Sequence, residues 1–373
     1  MKKISMMMAA LLLVGCTVKS PEEPQEVPQP NIFIPDKVVS FMAVGDNLIH
    51  GAVYYDAYVR HNGVYDFNDM YENVKDFIQS KDVAYINQET ILGGVEMGLS
   101  HYPQFNSPHE VGMAVAEAGF DWVASSSNHS MDQYEAGILS DLNFWDQYPD
   151  VVTTGLSRSF EEMNTPKYIE RNGVKIGVLG YTYGTNGIPI PEGKEYLVNL
   201  YSKERIQKDV EALKGTCDVI AVSMHWGDEY ATTPNEEQQD YAQFLADLGV
   251  SVIIGEHPHV IQPMDMLEGK DGNQTLVIYS LGNFLSAQDE PLRMLGGCAS
   301  FDVRVKGDGT VTVENVQWYP TVNHFDKHVM NFKIYLLKDY TNELAAKHGL
   351  SVSREYFIQE TNDIMGDQFE IVY

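Results

Sequence analysis

Cysteine is scarce in this sequence, and positive charge is outnumbered by negative. There are 3 cysteines, 25 Lys and Arg against 53 Asp and Glu, and a formal net charge of −28 at pH 7. So few cysteines exclude a disulfide-stapled scaffold. A charge of that sign and size excludes nucleic acid as a partner and repels anionic headgroups. It also repels a polyanionic substrate at long range, so any anionic ligand needs a local cationic feature to hold it. A long bilayer-spanning apolar run is missing too. The one membranous stretch, residues 4–15, follows Lys2 and Lys3 and has the length of a signal-peptide hydrophobic region. Hydrophobic residues are plentiful, at 44% with 11% aromatics, as in a chain that buries a core.

The apolar stretch ends Leu13-Val14-Gly15-Cys16, which resembles a bacterial lipobox whose cysteine is diacylated and becomes the new N-terminus. The segment that follows carries Pro21, Pro24, Pro28, Pro30 and Pro35 among acidic and polar residues. Such a composition cannot bury a core and stays extended. The expectation is a signal peptide over residues 1–15, a tether over 16–36, and a domain held outside the cytoplasm on a membrane lipid at Cys16. Cys217 and Cys298 are then the remaining thiols; both are flanked by apolar residues and read as buried, with a single bridge between them the alternative.

From residue 37 short apolar runs alternate with amphipathic stretches, the pattern of helices flanking sheets. Strands are predicted at 39–44, 83–87, 122–125, 151–154, 175–181, 219–225, 252–255 and 276–279, and helices at 70–80, 108–118, 134–148, 203–213 and 235–248. From Ser300 the period becomes two, with strands at 300–305 and 310–318 joined by Lys306-Gly307-Asp308-Gly309, a hairpin signal. This is an antiparallel addition to an αβ body spanning residues 37–330. The extension at 331–373 shows one helical stretch, 341–347, and no evident chemistry.

Several predicted strands end in polar clusters: Gly45-Asp46-Asn47, Asn87-Gln88-Glu89, Ser127-Asn128-His129-Ser130-Met131-Asp132, Met224-His225-Trp226-Gly227-Asp228 and Gly255-Glu256-His257-Pro258-His259. The carboxyl ends of strands in open αβ sheets form the crevice where ligands sit. Each cluster alone reads as a turn or a structural histidine. Together they supply imidazoles and carboxylates, a donor set suited to Zn, Fe or Mn, for one or two ions. No cysteine lies near them, which argues against a structural zinc site.

In this order the pieces AVGDNLIHG (43–51), INQET (86–90), SSNHSMDQ (126–133), MHWGDEY (224–230), GEHPHVIQP (255–263) and YSLGNF (279–284) resemble the calcineurin-like metallophosphoesterases, and more closely the CapA family of capsule and poly-γ-glutamate synthesis proteins. The resemblance implies a four-layer αββα sandwich. It implies that Asp46 and His259 hold one metal, that Glu89 bridges, and that Asn128, His225 and His257 hold the second. His129 then takes the place of the histidine that contacts or protonates the leaving group, with Asp132 orienting it. Two departures stand out. Leu48 occupies the usual position of a first-motif histidine, leaving His50 as the nearest imidazole, and Glu89 stands where the wider superfamily has Asp.

Two functions are open at this level. One is metal-assisted hydrolysis or transfer at a phosphoester or acyl-phosphate outside the membrane. The other is a tethered assembly subunit that clamps an anionic surface polymer alongside membrane-bound synthase subunits.

Overall fold

The computed structural model describes Gly15 and residues 34–373. Cys16, the signal peptide and nearly all of the tether lie outside the described residues. Residues 34–373 form one compact unit. No helix among the described residues is long and apolar enough to cross a membrane.

The chain builds one sheet, crosses to a second, and returns. Strands β1 (Lys37–Asn47), β2 (Val83–Asn87), β3 (Trp122–Ala124) and β4 (Val152–Thr154) lie side by side in parallel. Helices α1 (Gly51–Arg60), α2 (Asn68–Gln79), α3 (Glu110–Ala118) and α4 (Tyr134–Trp145) separate them. The second sheet holds β5 (Lys167–Arg171), β6 (Val174–Thr182), β7 (Val219–His225), β8 (Val252–Glu256), β9 (Ile261–Glu268) and β10 (Gln274–Leu281) in the order β5-β6-β7-β8-β10-β9. The helical turn α5 (Phe160–Met163) precedes it, and α6 (Lys203–Leu213) and α7 (Glu236–Asp247) connect its strands. The chain then rejoins the first sheet with β11 (Asn283–Leu285), β12 (Leu295–Val305), β13 (Val311–Asp326) and β14 (Met330–Leu336), and ends in α8 (Asn342–Ala345), α9 (Arg354–Met365) and β15 (Glu370–Ile371). The first sheet runs β14-β13-β12-β1-β2-β3-β4, with β11 beside β1 and β15 beside β13.

Strand alternation stacks the sheets. Val219 and Ala221 of β7, Val252 and Ile254 of β8 and Leu276 and Ile278 of β10 share one core with β1, β2 and β3 of the first sheet. The intervening Ile220, Val222, Ile253 and Val277 face the other way and pack on Ile206 and Val210 of α6 and Ala242 and Leu245 of α7. Helices thus cover the outside of two facing sheets, an αββα arrangement with an antiparallel half at β12–β14. The Asn235 side chain opens α7 with a reciprocal capping box to Gln238.

Every predicted strand and helix is present, and the hairpin joins β12 to β13. The tail from residue 331 departs from the expectation of a single helical stretch. It supplies most of β14, plus α9 and β15, because Phe332, Ile334, Phe357 and Met365 bury against the main core. Cys217 and Cys298 are both free thiols; Cys298 is buried, whereas Cys217 is half-exposed rather than buried.

Two constraints are testable. A Cβ at Gly45 would sit 1.8 Å from the Gly282 carbonyl oxygen, a backbone atom whose partner is the Asp46 N–H at 2.9 Å. Gly45→Ala is therefore expected to destabilise the fold by roughly 2–4 kcal/mol, read as a lowered denaturant midpoint. Asp141 on α4 is buried, with Oδ1 accepting the Leu92 N–H at 3.1 Å and Oδ2 without a partner. Burial raises its carboxyl from 3.8 to about 7, against the pull of the Leu92 N–H and Arg158. A raised pKa means that the folded state binds the proton more tightly. The stabilisation is complete below about pH 4 and is lost as pH rises through 7. Asp141→Asn should gain stability relative to wild type across that window and keep the gain at pH 8. Parallel thermal-melt profiles would show that Asp141 stays ionised.

Candidate metal centre

Five strand ends deliver the polar clusters to one place. Asp46 ends β1 between Asn87 of β2 and Asn283 of β11, and His225 at the end of β7 pairs in register with Glu256 of β8. Because these neighbours run parallel, their carboxyl ends share one edge, and the stacked sheets bring the two edges together. The Tyr85 and Ser223 hydroxyls, 2.7 Å apart, bridge the sheets beneath the cluster.

The predicted ligands converge. Asp46 Oδ2 lies 3.0 Å from His259 Nδ1. Glu89 Oε1 lies 3.7 Å from His259 Nε2 and 3.9 Å from His225 Nε2. His225 Nε2 is 3.0 Å from Asn128 Oδ1. Asp46, Glu89 and His259 place ligand atoms within 4.8 Å of one another, and so do Glu89, His225 and His257. Glu89 belongs to both groups. All of these side chains are buried. His257 and His259 flank Pro258 and adopt left-handed φ values of 100° and 58°. Non-glycine residues hold such backbone only where their surroundings impose it.

Electrostatics favours a cation here. Both Glu89 oxygens and His257 Nδ1 are buried with no hydrogen-bond partner among the described residues. Burial pushes the Glu89 carboxyl well above its ordinary value, with His259 opposing and Asp46 reinforcing the shift. Burial, together with His259, takes the His257 imidazole down to about 3. Burial and then His257 hold His225 well below its usual value. For His259 burial also lowers the pKa, but Glu89 and the hydrogen bond to Asp46 outweigh it and carry the imidazole up to about 9. A bare buried carboxylate costs several kcal/mol, and a bound cation offsets that cost. Neutral imidazoles at His225 and His257 are in the form that ligates. The residues present fit a divalent metal ion.

His129 and Asp132 form a second unit beside the cluster. His129 Nδ1 lies 2.7 Å from Asp132 Oδ2, which also accepts the Phe105 N–H at 2.7 Å. The Phe105 ring stands edge-on to His129, 4.7 Å between centroids. Asn186 links Asn128 to His129, accepting from the Asn128 Nδ2 at 3.2 Å and approaching His129 Nδ1 at 3.4 Å.

Some groups fall outside the expected set. Leu48 is buried and offers no donor. His50 turns its Nδ1 to the Leu48 carbonyl and the Ala287 N–H, at 3.1 and 3.3 Å, and belongs to neither ligand group. Glu229, which continues the His225 loop, places an oxygen with His257 and His259 in a third possible group. Asn87 donates to Asp46 Oδ1 at 2.7 Å and fixes that carboxylate. Glu256 lies buried beside Asp46, and burial followed by the Asp46 charge raises its carboxyl well above the ordinary value. Tyr183 packs on His257 at 4.8 Å. Of these, Asn87 and Glu256 stood inside the strand-end clusters, whereas nothing in the sequence singled out Tyr183 or Asn186.

The sequence model of the family described as bacterial capsule synthesis protein PGA_cap matches residues 40–288. The chain is 30% identical over 187 residues to the capsule biosynthesis protein CapA of Bacillus anthracis, covering 49% of this chain and 44% of that one. It is 29% identical over 208 residues to the PGA biosynthesis protein CapA of Bacillus subtilis (strain 168), covering 53% and 50%. The chain spans about half the length of these curated relatives. Solved structures similar to it include the NAD nucleotidase of Haemophilus influenzae, with a TM-score of 0.49 at 11% identity over 90% of this chain and 64% of that one. Another is the calcineurin-like phosphoesterase YfkN of Bacillus subtilis, with a TM-score of 0.46 at 15% identity over 88% and 97%. The family match takes in all of the strand-end clusters that build the site, and the chain belongs to the bacterial capsule synthesis protein PGA_cap family.

Proposed function

We propose that this protein is lipid-anchored at Cys16 outside the cytoplasm and acts in capsule or poly-γ-glutamate biosynthesis, export or anchoring through a metal-dependent hydrolase or transferase site. The carrying observation is Glu89: a buried carboxylate with both oxygens unpartnered, shared by two groups of ligand atoms. Asp46, Glu89 and His259 would hold one divalent ion, and Glu89, Asn128, His225 and His257 a second, drawn from Mn, Zn or Fe. Such ions supply Lewis-acid polarisation of a phosphoryl or acyl-phosphate oxygen and a hydroxide nucleophile near neutral pH. The protein's own part is to orient the substrate and move a proton. Asp132, pinned by the Phe105 N–H, accepts a hydrogen bond from His129 Nδ1–H and so aims Nε2, which carries the proton given to the leaving oxygen.

Metal analysis of the purified protein tests the ligand set. Glu89→Gln should lose more metal than any single histidine variant, since it serves both groups, whereas His225→Ala and His257→Ala should lose the second ion and keep the first. Full stoichiometry in all three would rule out the cluster as an ion site.

Turnover tests the chemistry. With Mn or Zn, hydrolysis of an aryl phosphodiester should fall roughly 100-fold to 10,000-fold in kcat on His129→Ala, with metal content unchanged. Asp132→Asn should fall less. If the loaded protein cleaves no phosphodiester, phosphomonoester or γ-linked polymer, the catalytic role is wrong. Metal-dependent retention of polymer without turnover would then identify the clamp role instead.

A further inference from the structure

Arg293 lies in the short helical turn Pro291–Met294 that leads into β12. Its guanidinium carbon is 3.7 Å from the centroid of the Tyr230 ring, and that ring is 6.1 Å from the His259 ring. Among the described residues it is the one arginine laid on an aromatic face. Arg171 and Arg205 spend their guanidinium groups on carboxylates at 2.7 and 2.6 Å. Arg293 has only Asp289 at 3.8 Å, a side chain 89% exposed, while its own side chain is 24% exposed. No hydrogen-bond acceptor among the described residues satisfies its guanidinium N–H groups, although its backbone N–H bonds the Glu290 carbonyl at 3.0 Å. Stacking occupies the guanidinium face and leaves the edge, where the donors are, available.

Its position relative to the ion-binding cluster is fixed from beneath. Asn283 Nδ2 donates to the carbonyl of Arg293 at 3.1 Å and to the carbonyl of His259 at 3.2 Å, and also meets Gln288 Oε1 at 3.1 Å. Asn283 is buried and sits in register with Asp46. One core amide therefore ties the arginine turn, the histidine loop and the first strand together. Tyr230 is held likewise: its backbone is left-handed, at φ 67°, and its N–H bonds the Pro258 carbonyl at 2.7 Å.

We propose that Arg293, laid on Tyr230 and tied to the histidine loop through Asn283, is the oxyanion-recognition arm of this site, receiving a carboxylate or phosphoryl group of the substrate outside the ion-binding cluster. It rests on the proposal that the cluster acts on an acidic substrate, and it answers a need set by composition: a chain of net charge −28 must offer local positive charge to bind a polyanion. A planar fork of donors suits a two-oxygen group, and a partly desolvated charge-assisted pair outweighs long-range repulsion.

The test uses the full chain loaded with Mn, titrated calorimetrically with a short γ-linked glutamate oligomer and, separately, with inorganic phosphate. Arg293→Met keeps the length and apolar stem and removes the charge. It should weaken at least one probe about tenfold and flatten the salt dependence of its binding, with metal content unchanged. Arg293→Lys should recover part of the loss, and Tyr230→Asn, which tolerates the left-handed backbone, should reproduce the Arg293→Met defect. Loss for the oligomer alone identifies a carboxylate as the group received, and loss for phosphate alone identifies a phosphoryl group. Unchanged dissociation constants for both probes in Arg293→Met, or no binding of either probe to wild type, would overturn the proposal. Metal content of the same samples separates the two ideas: wild type without metal but with Arg293-dependent oligomer binding would sink the ion site and keep the arm.

Discussion

Everything at this site depends on keeping the Glu89 carboxylate out of water. Glu89 lies two residues past the end of β2, and neither oxygen has a hydrogen-bond partner among the described residues. Its neighbours are arranged around that cost. Asp46 is fixed by Asn87 and His259, His225 by Asn128, and the sheets themselves are bridged beneath by Tyr85 and Ser223. A scaffold that holds a carboxyl without hydrogen-bond partners this firmly is preorganised for a cation, because the ligands need not gather when the ion arrives. The left-handed backbone at His257 and His259 is part of the same expense.

Much of this was legible in the chain. The strands could be located because they are short apolar runs, as in β7, where Val219 and Ala221 face one core and Ile220 and Val222 the other. Their polar ends could be read as a crevice because parallel neighbours share an edge. The C-terminal elements were harder. In α9 the apolar residues are spaced among charged ones, and packing on β9 of the second sheet helps to decide its conformation.

Side chains that work through position rather than type were least legible. Glu229 lies on the His225 loop, and only the fold turns it toward His257 and His259. Asn186 comes from the loop after β6 and reaches His129 across the site. Asn283 stood in the recognisable YSLGNF piece, yet its task, joining two carbonyls from separate loops, exists only in three dimensions. His50 shows the reverse: an imidazole in the right stretch of sequence, committed instead to the backbone of its own turn and the Ala287 N–H.

The passage of the chain from one sheet to the other and back has a kinetic meaning. Asp46 and His259 are 213 positions apart, so their meeting closes a loop that holds most of the protein. Such a closure is entropically costly and non-local, the kind of contact that slows folding. The complete ligand set therefore exists only where both sheets are in place, with Asp46 and Glu89 from one and His225, His257 and His259 from the other.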